Sequence, residues 1–121
     1  MKLVLAAPVI LLVGCAEAPS AAVEITGARL VPVGAALGDV TRAQCARAQA
    51  CGAIASLGIY RDASYCDELS RHTLDLVGRN CSYADGAAVD ECVQALRAES
   101  CTDVAQTARP PSVCMRLCGR R

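Results

Sequence analysis

The run Gly86-Ala87-Ala88-Val89-Asp90-Glu91-Cys92-Val93-Gln94-Ala95-Leu96-Arg97-Ala98 is the most legible stretch of this 121-residue chain. Val89, Cys92, Val93 and Leu96 recur at i, i+3, i+4 and i+7, which is one face of an α-helix. Asp90, Glu91, Gln94 and Arg97 fall on the other side, as a solvated face would. Asp85-Gly86 breaks the chain ahead of it, so the spacing predicts a helix from about Ala87 to Ala98. The cysteine inside the apolar stripe implies that the helix is held by a covalent bridge as well as by packing.

The same pattern extends in both directions. Upstream, Ser64 is a candidate cap with Asp67 as its capping-box-like partner. Cys66, Leu69, Thr73, Leu76 and Val77 follow at helical spacing, and Gly78-Arg79-Asn80 ends that helix. Earlier still, Asp39 or Thr41 can cap a helix to about Ala50 whose inward side is Val40, Cys45, Ala48 and Cys51. Gly52 is the expected stop. Ile59-Tyr60 is expected to tuck back into the core. Downstream, a connector from Cys101 ends at Pro110-Pro111, and a last short helix runs from Ser112 to Leu117. The expected fold is all-α: a small disulfide-stapled bundle of three to four short helices occupying residues 39–121.

The composition explains why staples are needed. The chain has no Phe and no Trp and only three tyrosines, Tyr60, Tyr65 and Tyr83. Large side chains normally supply most of the roughly 25 cal/mol per Å² of burial that holds a domain of this size. The nine cysteines are the obvious substitute. With Cys15 set aside, as argued below, Cys45, Cys51, Cys66, Cys81, Cys92, Cys101, Cys114 and Cys118 form an even set, hence four bridges. Eight cysteines allow roughly a hundred pairings. Cys45 and Cys51, about 9 Å apart along a shared helix, exceed the span of a bridge. Cys114 and Cys118, one turn apart, more naturally reach two different partners; the remaining pairings stay open. Zinc would favour Cys-x2-Cys knuckles, often with histidine. The chain has no such knuckle and a single histidine, His72. A redox role would want Cys-x-x-Cys, which is likewise missing.

Cys15 has another use. Met1-Lys2 precedes an apolar run from Leu3 to Val13, interrupted by Pro8. It is shorter than the roughly 20 residues of a membrane span and has the form of a secretory signal. It ends in Leu12-Val13-Gly14-Cys15, which is similar to the lipobox of bacterial lipoproteins at all four positions. That resemblance implies removal of residues 1–14 and a diacylglyceryl group on the Cys15 thiol, with further acylation of its freed amine. Two or more acyl chains anchor stably. Ala16, where such lipoproteins carry aspartate for inner-membrane retention, implies transfer to the outer membrane, on its periplasmic or surface side. Residues 16–38, rich in Ala, Val, Gly and Pro, read as a tether. Val23-Glu24-Ile25-Thr26 and Leu30-Val31-Pro32-Val33 can pair there as a weak hairpin around Gly27, although Pro32 argues against a central strand.

The cysteine frame resembles that of a family of small bacterial lipoproteins of unknown function, known as natural-product-biosynthesis lipoproteins. The likeness spans about residues 39–118. It is carried by Cys45 to Cys51, by Tyr60 to Cys66, by the run from Asp85-Gly86 to Cys101, and by the closing Cys114-Met115-Arg116-Leu117-Cys118. Its most specific part is Leu96-Arg97-Ala98-Glu99-Ser100-Cys101. Gln44, where arginine is usual, and Pro110-Pro111 depart from the pattern without disturbing the cysteines. The resemblance implies a place in the cell envelope and no established activity.

Charge and motifs narrow the function classes. Twelve Lys plus Arg balance twelve Asp plus Glu. Lys2 leaves with the signal, every other basic residue is arginine, and no basic stripe points to nucleic acid. No glycine-rich phosphate loop appears. His72 and Asp75 can meet on one helix, near Ser70, but without the strand-turn context of a nucleophile. Asp67-Glu68 and Asp90-Glu91 sit early in helices, where they favour the helix dipole. The expectation is a non-enzymatic binding or structural module with no cofactor beyond the lipid. Its partner would be an envelope protein or a small molecule, contacted through an apolar patch around Ile59, Tyr60 and Val104. The alternative is a metal-binding, redox or enzymatic envelope protein using its thiols.

Overall fold

The computed structural model describes residues 29–119. The lipobox Leu12-Val13-Gly14-Cys15 and the first half of the expected hairpin lie outside them. The order is β1 (Leu30–Pro32), α1 (Val33–Ala50), α2 (Ala63–Gly78), β2 (Tyr83–Asp85), α3 (Gly86–Ala98), α4 (Cys101–Gln106) and a 3-10 helix (Ser112–Arg116). The all-α expectation holds: this is a small helical bundle held by disulfides, with one short two-stranded ribbon at its edge.

Helix α1 is the central element and packs most extensively on α2 and α3. It begins at Val33 and not near Asp39, so the last third of the expected tether is strand and helix. Pro32, at the cap position, offers no side-chain acceptor, but the Val33 amide donates to the Ser82 carbonyl at 3.0 Å. A tertiary bond therefore does the work of a polar cap. Gly34 and Gly38 each cost about 1 kcal/mol relative to alanine inside a helix. Burial of Ala36 and Val40 between them offsets that cost. At the other end Gly52, with φ +69°, closes the helix as expected.

Strand β1 pairs antiparallel with β2, Leu30 opposite Asp85 and Pro32 opposite Tyr83, across about fifty residues of chain. The following turn is tight. The Gly86 amide donates to the Arg29 carbonyl at 2.6 Å, and a Cβ on Gly86 would lie 2.7 Å from that oxygen. Glycine is the residue that admits this crossing.

Helix α2 is capped by Asp62, which accepts from the Tyr65 amide at 2.7 Å, two residues before the expected Ser64. Its buried side chains are Cys66, Ser70, Leu74 and Val77, whereas Leu76 is 55% exposed. The inward stripe is thus rotated from the one expected. Ser70, polar and buried, belongs to it because its hydroxyl lies 3.7 and 3.9 Å from the sulfurs of Cys45 and Cys66. Helix α3 matches its expectation, with Asp85 accepting from the Ala87 amide and Val89, Cys92 and Leu96 buried. The supposed connector after Cys101 is a short helix, α4, capped by Ser100.

All eight cysteines are paired: Cys45–Cys66, Cys51–Cys101, Cys81–Cys118 and Cys92–Cys114, with Cα separations of 4.8 to 5.9 Å. Cys45 and Cys51 do not join, as the rise along a shared helix requires, and Cys114 and Cys118 reach different partners, as expected. The bridges bracket two apolar clusters. The larger gathers Leu74, Val77, Leu96 and Leu117 around Cys92–Cys114. The smaller gathers Ala48, Ala53, Tyr60 and Val104 around Cys45–Cys66. Each bridge closes 21 to 50 residues of chain, a range in which a cross-link adds about 3–4 kcal/mol in the loop-entropy view.

Replacing Cys92 and Cys114 together by alanine is expected to cost about 2–5 kcal/mol, because both sulfurs are fully buried in the larger cluster. A urea denaturation midpoint unchanged from that of the parent would show that apolar packing alone carries the fold.

Candidate functional site

The candidate site is a groove of about 640 Å³ between α1 and α3. Its apolar wall is made of small side chains, Ala43, Ala46 and Ala50 from α1 and Val89 and Val93 from α3. Residues three and four apart share a helix face, so α1 also presents Asp39, Arg42 and Arg47 there. Helix α3 adds Asp90, Gln94 and Arg97, the face that reads as solvated in the sequence.

The charges differ in how they are engaged. Arg42 is paired with Asp39 on its own helix. Arg29 reaches from ahead of β1 to Asp90 at 2.9 Å. Arg47 is half-buried and turns to the end of α3, donating from Nε and Nη2 to the Glu99 carbonyl at 2.9 and 2.6 Å. Arg97 is exposed and engages none of the acids described. The groove therefore joins a shallow apolar floor to two committed guanidinium groups, those of Arg42 and Arg47, and the uncommitted one of Arg97. Such a surface suits a ligand carrying carboxylate or phosphate beside a small apolar body.

A second hollow of about 620 Å³ is lined in part by Glu99, Ser100, Asp103 and Arg109. Burial first, and then the Asp103 charge, push the Glu99 carboxyl above the usual carboxylate value, while Arg47 pulls it down. Beneath α1, Gln44 donates from Nε2 to Tyr60 Oη at 3.2 Å and to the Ala108 carbonyl at 3.0 Å. Burial raises the Tyr60 phenol, partly offset by its bonds with Gln44 and Ser70, with the Glu99 charge adding a smaller upward push.

The other candidate residues do not converge. His72 is exposed on α2, in a depression with Gly34, Leu37, Arg71 and Asp75. Asp75 is held by Arg79 at 3.1 Å, and Ser70 faces the Cys45–Cys66 sulfurs, so no Ser-His-Asp relay forms. Asp67 pairs with Arg71 at 2.8 Å, and Asp90 points to Arg29. The patch expected at Ile59, Tyr60 and Val104 is not a surface: Tyr60 and Val104 are buried and Ile59 packs on them, forming the smaller core cluster. Among the described residues no group of three His, Cys, Asp or Glu could hold a metal ion, and no helix is long and apolar enough to cross a membrane. Arg97 is legible in the sequence as part of the solvated face of α3, whereas Arg42 and Arg47 went unread; the i, i+4 repeat of Arg42, Ala46 and Ala50 was the one available signal.

No family model, curated protein or solved structure matches the chain.

Because its folded-state pKa is raised, Glu99 contributes most to stability below the unfolded carboxylate value and loses that contribution as pH rises through the folded value. Glu99→Gln is therefore expected to raise the urea midpoint at pH 7 and to leave it nearly unchanged at pH 4. Equal effects at both pH values would show that the charge is well solvated.

Proposed function

We propose that this chain is a lipoprotein of the bacterial cell envelope, acylated at Cys15 and exported to the outer membrane. Its disulfide-stapled domain acts there as a non-enzymatic binding module, and the groove between α1 and α3 is its ligand surface. The observation that carries the binding reading is the pairing of an apolar floor with Arg47 and the uncommitted Arg97. The groove side chains include no hydroxyl or thiol to act as a nucleophile, which favours recognition over chemistry. Full pairing of the eight cysteines supports an oxidising compartment, where such bridges persist. The short signal and the lipobox-like Leu12-Val13-Gly14-Cys15 support the anchor. The cysteine frame supports kinship with the small cysteine-rich lipoproteins that it resembles, and any link to a biosynthetic pathway is a further step of that same proposal.

Two measurements test these claims separately. The intact mass of the protein from the membrane fraction is expected to start at Cys15, to include acyl mass, and to gain about eight mass units on reduction, two for each bridge. A soluble species without acyl mass would overturn the anchor, and a gain well short of eight would overturn the full set of bridges. A photoreactive residue replacing Ala46, on the exposed groove floor, is expected to give a discrete adduct on intact cells, whereas one replacing Leu57 is not. Equal yields from the two positions would argue against the groove as the ligand surface.

A further inference from the structure

The exposed apolar side chains are unevenly distributed. Five large ones stand out among the described residues: Leu30, Leu57, Leu76, Tyr83 and Met115, each 48% exposed or more. Four of them gather at one pole of the bundle. Leu30 and Tyr83 lie on the outer face of the β1–β2 ribbon, since side chains alternate along a strand and Tyr83 stands opposite Pro32, two residues from Leu30. Leu76 is in the last turn of α2, whose Gly78 approaches Val33 and Leu37 at the start of α1. Met115 precedes Leu117, whose carbonyl accepts from the Asp85 amide at the end of β2. The Cys81–Cys118 bridge ties this pole together. Leu57 lies beyond the other end of α1, a helix about 27 Å long.

The same pole is where the chain enters the domain. Arg29, the first described residue, adjoins Leu30, and only residues 16–28 separate it from Cys15. Thirteen residues span at most about 45 Å, so the tether by itself would let the domain turn any side toward a membrane. The asymmetry of the surface decides which one. Most charges near this pole are matched, Asp75 and Asp90 by Arg79 and Arg29. Arg116 shares a hollow with Asp85 and Glu91. A few apolar side chains with a tyrosine, among charges that are largely matched, suit the interface of a bilayer.

We propose that this pole lies flat on the membrane to which the tether leads, with Leu30, Tyr83 and Met115 seated among the lipid headgroups. This orientation rests on the lipoprotein reading for its membrane, and the test keeps the two apart by supplying an anchor artificially. The mature chain, with a hexahistidine tag in place of acylated Cys15, is held on vesicles of phosphatidylethanolamine and phosphatidylglycerol containing a nickel-chelating lipid. Tyrosine emission is compared between vesicles with brominated and with ordinary acyl chains. Bromine is expected to quench the parent; the quenching disappears in Tyr83→Ser, falls severalfold in Leu30→Ser and is unchanged in Leu57→Ser. Circular dichroism confirms that each exposed substitution leaves the fold intact. Absence of quenching in the parent, or quenching that survives Tyr83→Ser, overturns the proposal. So does a dimer seen by sedimentation that Leu30→Ser dissolves, which would make the face a contact between copies. Lack of acyl mass on the native protein would overturn the anchor without altering the vesicle result.

Discussion

Helix α1 can be the spine of this domain because covalent bonds hold what its side chains cannot. Its inward residues are Ala36, Val40, Thr41, Gln44 and Ala48, a set that buries little area and includes two polar groups. The fully buried large side chains around it are few, chiefly Tyr60, Leu74, Leu96 and Leu117. A helix with two internal glycines and such a face would pack weakly on apolar contact alone. Cys45–Cys66 fastens its middle to α2, and Cys51–Cys101 fastens its end to α4. The other two bridges clamp the C-terminal segment to α3 and to the loop before β2. With these ties fixed in the unfolded chain as well, less of the folding entropy has to be recovered from burial.

The bridges also account for the buried polar groups. Gln44 places Nε2 between Tyr60 and the Ala108 carbonyl, while its own Oε1 and the Thr41 hydroxyl are buried without a hydrogen-bond partner. Each such atom costs about 1–3 kcal/mol. A core assembled only by apolar contact would exclude them readily. Here the Cys45–Cys66 link, one residue from Gln44, commits this part of α1 to the interior whatever its neighbours prefer. Ser70 packs against the same two sulfurs, which is how a serine comes to stand in an apolar stripe.

That coupling explains which parts of the fold were legible in the sequence. Helix α3 was, because Val89, Cys92 and Leu96 are buried by periodicity and Asp85 lies directly before them. The end of α1 was, because Gly52 alone suits the left-handed turn. The start of α1 was not: its first amide is satisfied by Ser82, nearly fifty residues away, and Gly34 and Gly38 imitate a linker. The α2 stripe was misjudged for the same kind of reason, since a serine held by a disulfide looks exposed and Leu76 looks buried. Bridge pairing was legible only as exclusions, because rise along a helix forbids Cys45–Cys51 but says nothing of partners on other elements. Of the candidate site, Arg97 was visible as a surface residue; its meeting with Arg47 depends on how two helices lie side by side, which no local pattern encodes.

The same economy shapes the surface. An interior this small has no place for every large apolar side chain, and those left outside are not scattered. Leu30, Leu76, Tyr83 and Met115 collect where the chain enters, while the α1–α3 groove keeps only alanine and valine on its floor. A broad apolar groove would compete with the pole for any lipid surface and would invite self-association. A floor of small side chains flanked by arginines does neither. Rigidity links the two surfaces. With α1 bridged at its middle to α2 and at its end to α4, and packed along α3, a domain resting on its apolar pole would hold the groove in a fixed relation to the membrane.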